Sequence, residues 1–110
     1  MKKLGFGLMR LPLIDKNDNG SIDVELTKKM IDVFMERGFT YFDTAWMYCK
    51  FNSERAVKEA LVDRYPRDSY YLATKMPWYD YEDKAGMKAL FEKQFERTGL
   101  DCFDFYLIHN

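Results

Sequence analysis

Short, dense apolar runs alternate along this chain with longer stretches in which apolar residues recur every three or four positions. The first spacing predicts buried strands and the second the core-facing side of α-helices. Leu4 to Leu11 is an apolar run broken by Gly5 and Gly7, the mark of a strand approached closely by another backbone or by a ligand. Val24 to Arg37 carries Leu26, Met30, Ile31 and Phe34 at helical spacing, with Asp23 placed to cap its start and Gly38 to end it. A second strand is expected over 39–45. Asn52 or Ser53 then caps a second helix with a Val57, Ala60 and Leu61 stripe, stopped by Tyr65-Pro66. Lys50 to Arg55 is expected to be a solvated loop and cap. Tyr70 to Lys75 predicts a third strand. Met87, Leu90, Phe91, Gln94 and Phe95 predict a third helix ending near Gly99, and Met30, Met35 and Met87 are expected to be core residues. Cys102 to His109 is almost continuously apolar, the pattern of a strand covered on both faces.

The order β-α-β-α-β-α-β requires a parallel sheet with right-handed crossovers, either doubly wound or closed into a barrel. A doubly wound nucleotide fold calls for Gly-x-Gly-x-x-Gly after its first strand, whereas Gly5-Phe6-Gly7 is followed by Leu8-Met9-Arg10. The barrel fits better. A complete (β/α)8 barrel takes about 250 residues. The 110 residues are therefore expected to form a partial (β/α)8 TIM barrel, an α/β domain of four parallel strands and three helices spanning 1–110. Residues for the remainder of the barrel are expected to be missing, and the isolated chain to be inactive.

Composition narrows the partners. With 17 basic and 18 acidic residues the net charge is −1, too small to draw nucleic acid or an anionic membrane. The Lys2-Lys3 start is followed by Arg10, Pro12 and Asp15 rather than an apolar core, so a cytoplasmic protein without a signal peptide is expected. Cys49 and Cys102 stand apart and the chain has one His, which argues against a zinc site or a disulfide framework.

Candidate chemistry lies at the strand ends. Asp43, Lys75 and His109 close the second, third and fourth strands at intervals of 32 and 34 residues. One βαβ repeat takes about 30 residues or more, so the three are expected at one height, facing one pocket at the rim where barrel active sites form. Tyr48 lies in the loop above Asp43. A phenol is a poor acid at neutral pH, and the Lys75 ammonium would favour the charge left when it gives up its proton. Asp43 would hold Lys75 charged and aimed, and His109 would donate to a carbonyl oxygen beside Tyr48. Together they suit proton delivery to a carbonyl as it is reduced.

Gly38-Phe39-Thr40-Tyr41-Phe42-Asp43-Thr44-Ala45, with Tyr48 and Ser53-Glu54 behind it, closely resembles the first signature of the aldo/keto reductases. Leu72-Ala73-Thr74-Lys75 and Leu107-Ile108-His109-Asn110 resemble that family's lysine and histidine segments. The resemblance covers essentially the whole chain but only the amino-terminal part of the family's barrel. It implies a catalytic tetrad of Asp43, Tyr48, Lys75 and His109 acting on a small aldehyde or ketone, with NADPH as cofactor. It also implies that Gly7, Leu8, Met9 and Asp43 approach the nicotinamide and that Asn110 lies near its carboxamide. The pyrophosphate and adenosine would be held mostly by loops beyond Asn110. Met9-Arg10-Leu11-Pro12 and Arg64-Tyr65-Pro66-Arg67-Asp68 look like a bacterial branch whose longer members carry a ferredoxin-like extension. Two departures stand out. Cys49-Lys50-Phe51-Asn52 replaces a glycine-containing loop and is expected to sit differently, and Thr40 stands where much of the family has arginine.

Singly, these residues have plainer explanations: a lone His at a strand end is usually structural, and Asp43 with Lys75 could be an ordinary buried ion pair. The four together, in order and at barrel spacing, favour the enzyme. A Schiff-base lysine is the second chemistry open to Lys75, opposed by Asp43, which keeps it protonated. A third reading is a non-catalytic barrel that binds a nucleotide or a partner. Trp46 and Trp78 are candidates either for a substrate pocket or for packing beneath the rim. Two copies pairing edge to edge into a pseudo-eight-stranded barrel is the expected form of any homodimer.

Overall fold

The computed structural model describes residues 2–77 and 83–109. Strand β1 (Gly5–Gly7) leads to helix α1 (Val24–Glu36), then strand β2 (Tyr41–Asp43). A single turn over Tyr48–Phe51 precedes α2 (Ser53–Val57), which runs on into a π-helical turn, Lys58–Val62. A 3-10 turn (Arg67–Ser69), β3 (Tyr71–Pro77), α3 (Lys84–Thr98) and β4 (Phe105–His109) complete the order. The strands form one parallel sheet in the order β1-β2-β3-β4. Each new strand is added beside the last, without the reversal of a doubly wound sheet, as in the winding of a (β/α)8 barrel.

The ends of α1 follow its sequence. The Asp23 carboxylate accepts from the Leu26 N–H, and Gly38 takes φ +83°, a conformation that disfavours side chains. Its buried face is narrower than expected: Thr27, Ile31 and Phe34 are buried, whereas Leu26 and Met30 are exposed. Leu26 and Met30 lie toward the flank of the arc turned to the sheet, so helical spacing included them but packing does not.

The main core joins Ile31 and Phe34 of α1, Val57, Ala60 and Leu61 of the second helical segment, and Phe42 and Leu72 on the helix-facing side of the sheet. A second cluster stacks Phe91 and Phe95 of α3 on Phe103 and Tyr106. Strand β4 departs from expectation: Phe105, Leu107 and Ile108 are exposed. Among the described residues β4 pairs only with β3; α3 meets one face at Tyr106 and leaves Ile108 on that same face 68% exposed.

The register corrects the expectation of equal heights. Asp43 pairs with Ala73, so Lys75 sits two residues further along; Lys75 pairs with Leu107, so His109 sits two residues further again. Two residues is one side-chain period in a strand. Asp43, Lys75 and His109 therefore share a face, climbing across the sheet with the stagger that barrel closure requires.

Candidate active site

Lys75 sits at the centre of the site with its ammonium satisfied three ways. Nζ donates to Asp43 Oδ2 at 2.7 Å, to the Thr44 carbonyl at 2.8 Å and to the Tyr48 phenolic oxygen at 3.0 Å. An ammonium has three donors and no acceptor, so these contacts use all of them. Its side chain is 11% exposed against 32% for Asp43, so the pair is shielded but not dry. Tyr48 receives a hydrogen bond from Lys75, and its own O–H has no acceptor among the described residues. Nζ also lies 4.6 Å from the Tyr48 ring centroid. The His109 ring stands edge-to-face with Tyr48 at 5.8 Å, and its Nδ1 is buried without a partner among the described residues. The structure thus brings Asp43, Tyr48, Lys75 and His109 together.

Tyr48 and His109 of this group line a cleft of about 630 Å³ together with Met9, within the usual range for a small-molecule site. Gly7 ends β1 beside Asp43, and nothing lies within 4 Å of where a Cβ would stand on it. Leu8 is fully buried; its N–H bonds Asp43 O and its carbonyl accepts from Ser53, so it braces the site from behind. Met9 is exposed. Asn110 and Trp78 lie outside the described residues. Trp46 turns away from the cleft and lies under the Arg97 guanidinium, 4.1 Å from ring to cation.

Tyr48 is delivered by backbone in an unusual conformation. Cys49, Lys50 and Phe51 have φ of 54°, 51° and 68°, a left-handed turn costing about 1–2 kcal/mol per residue relative to right-handed backbone. The turn is held by Cys49 Sγ on the Met9 carbonyl at 3.4 Å, by Lys50 on Asp18 at 3.1 Å and by Arg97 on the Phe51 carbonyl. Lys50→Gly is expected to stabilise the protein by about 1 kcal/mol, because relief of the left-handed strain exceeds the loss of an exposed ion pair. A lower urea midpoint for the variant would refute this.

Behind the site lies a polar cluster that sequence reasoning missed. Ser53 and Glu54, expected to be solvated, are fully buried. Ser53 Oγ donates to the Leu8 carbonyl and pairs with Thr44 Oγ1, both at 2.8 Å. Asn52 makes no side-chain cap; its amide donates instead to the Gly20 carbonyl. Glu54 Oε2 accepts from Thr74 at 3.0 Å and Gln94 at 3.1 Å, while Oε1 faces Arg97 Nε at 3.6 Å. Gln94 also donates to the Lys75 carbonyl and accepts from Tyr106, tying α3 to the strand that carries Lys75. The available signal was a lone glutamine inside the apolar stripe of α3.

Burial pushes the Glu54 carboxyl up to about 7, against the weaker opposing pull of Arg97, Thr74 and Gln94. Native Glu54 therefore keeps a proton that the unfolded chain releases above its ordinary value of 4.5, and this group costs stability as pH rises from about 4.5 to about 7. Glu54→Gln is expected to gain on the parent by on the order of 2 kcal/mol between pH 5 and pH 7.5. Paired urea titrations at the two pH values check this; a difference that does not change with pH would refute it.

Four polar side chains thus meet at the rim of parallel, barrel-wound strands beside an open cleft. The aldo/keto reductase family model matches residues 3–110, and the chain belongs to that family. It is 31% identical to the 4-dihydromethyl-trisporate dehydrogenase of Mucor mucedo over 80% of this chain and 28% of that protein. It is 30% identical to an aldo-keto reductase of a Mycobacterium species over 92% of this chain and 39% of that one. Among solved structures, an aldo-keto reductase from Bacillus halodurans in its holo form superposes with a TM-score of 0.74 at 29% identity, over 96% of this chain and 35% of that one. One from Klebsiella pneumoniae in complex with NADPH gives 0.71 at 26%, covering 96% and 34%. The chain thus spans about a third of the length of such relatives, and its fold corresponds to that share of their TIM barrels. No helix among the described residues is long and apolar enough to cross a membrane, and no three metal-binding side chains are grouped there.

Proposed function

We propose that this site reduces an aldehyde or ketone to an alcohol with NADPH, Tyr48 supplying the proton. The observation that carries this reading is the phenol whose oxygen accepts from Lys75 at 3.0 Å while its proton has no acceptor among the described residues. When bound, NADPH supplies the hydride that the carbonyl carbon receives. Tyr48 gives its proton to the carbonyl oxygen, and the charge left on the phenolic oxygen falls beside the Lys75 ammonium. Asp43 and the Thr44 carbonyl hold that ammonium in place. His109, on the same wall of the cleft, is positioned to orient the carbonyl oxygen.

The residues fit the cofactor. The open space at Gly7, next to the partly exposed Asp43 and Met9, offers a flat approach for a nicotinamide ring. Gly7→Ala tests this. The added methyl meets nothing within 4 Å, so the urea midpoint is expected to hold while NADPH affinity falls severalfold. Unchanged affinity would remove Gly7 from the cofactor site.

The Schiff-base alternative is disfavoured because an ammonium with three acceptors has no lone pair to attack a carbonyl. The direct test follows NADPH absorbance with 4-nitrobenzaldehyde for the parent and for Tyr48→Phe. A carbonyl-dependent rate above the blank, however small, and lost in the variant is expected. Equal rates in the two proteins would overturn the reading.

A further inference from the structure

The cleft has an electrostatic bias that the proton-transfer residues do not explain. Among the described residues its lining contains two cations, Arg10 and Lys50, and no carboxylate. Lys50 is already paired with Asp18 at 3.1 Å. Arg10 is exposed and makes no hydrogen bond or ion pair with any described residue. The same lining carries the Asn19 amide, apolar surface from Leu11, Leu13 and Met47, and both Tyr48 and His109.

An unpaired guanidinium presents a planar fork of donors that matches a carboxylate in two parallel hydrogen bonds. Structural arginines are ordinarily neutralised, as Arg64 is by Asp32 and Arg67 by Asp104, each at 2.7 Å. We infer that the cleft selects carbonyl compounds bearing a carboxylate, with the anion at Arg10, the body over the apolar lining and the carbonyl at Tyr48 and His109. This rests on the reductase reading above and adds the substrate class.

Arg10 follows directly on the segment held to β2 by the Leu8 N–H on the Asp43 carbonyl at 2.9 Å. Its backbone is therefore anchored to the strand that carries Asp43, while its side chain is left to solvent. Such a group adds affinity without taking part in the chemistry.

The test is a binding titration of the protein labelled with ¹³C at methionine methyls, since Met9 and Met47 both line the cleft. The probes are 4-carboxybenzaldehyde and its uncharged methyl ester. At low salt the acid is expected to shift both methyls and to bind about fivefold more tightly than the ester, as for an ion pair open to solvent. The preference should disappear in Arg10→Met, survive in Arg10→Lys and fade in high salt. Equal affinity for the two probes, a preference retained by Arg10→Met, or no shift of either methyl would each overturn the proposal. The ester rate in the absorbance assay keeps the two readings apart. If carboxylate preference holds but neither compound is reduced, the reductase reading falls and the anion site stands. If the ester is reduced as well as the acid and binds equally, the anion site falls alone.

Discussion

Tyr48→Phe is expected to bring NADPH-dependent carbonyl reduction down to the blank, because a positioned general acid contributes about 10²–10⁴-fold. The substitution removes one oxygen and leaves the ring, so the contacts with Lys75 and His109 through the ring face and edge are kept. Affinity for NADPH and the urea midpoint should therefore change little. A loss confined to the rate is the signature of an interaction made only in the transition state. A variant that keeps most of the rate would show that the proton comes from elsewhere.

Lys75→Met is expected to act on both rate and stability. It leaves the Asp43 carboxylate without its cation and the Thr44 carbonyl without its donor, while removing the charge beside the Tyr48 oxygen. Breaking a fully buried ion pair costs about 3–5 kcal/mol. Because Asp43 keeps 32% of its surface in water, about 2 kcal/mol is expected here. Adding Asp43→Asn should recover part of that loss, because the unpaired charge is then gone. The rate should fall by a factor comparable to that for Tyr48→Phe, and the double variant Tyr48→Phe/Lys75→Met should be scarcely slower than either single one, since the two residues act as a unit. Chemical unfolding and the absorbance assay read these effects. Fully additive rate losses would mean that Lys75 works on a different step.

The buried cluster around Glu54 ties the two halves of the site together. Thr74 and Lys75 are adjacent on β3, one turned to the helices and the other to the cleft. Gln94 grips the first by side chain and the second by its carbonyl. Lys75 is thus held by α3 from behind and by Asp43 from in front, which limits how far its ammonium can move from Tyr48.

The amino-acid sequence by itself determined the order of the elements and which strand ends carry Asp43, Lys75 and His109. Alternating apolar spacings set the order of strands and helices, since each element must bury its apolar side against its neighbours. Placing Asp43, Lys75 and His109 at strand ends put them at the rim, and an even register offset keeps them on one face. Tertiary structure alone decided the rest. The two-residue climb per strand comes from the stagger of a curving sheet, which no local pattern encodes. Exposure of Leu26, Met30 and β4 depends on which surfaces find a neighbour, and hydrophobicity records only the preference. The left-handed turn after Tyr48 contains no glycine to announce it. It exists because Cys49, Lys50 and Phe51 are each held by residues distant in sequence, and contacts of that kind offset local strain only once the chain is folded.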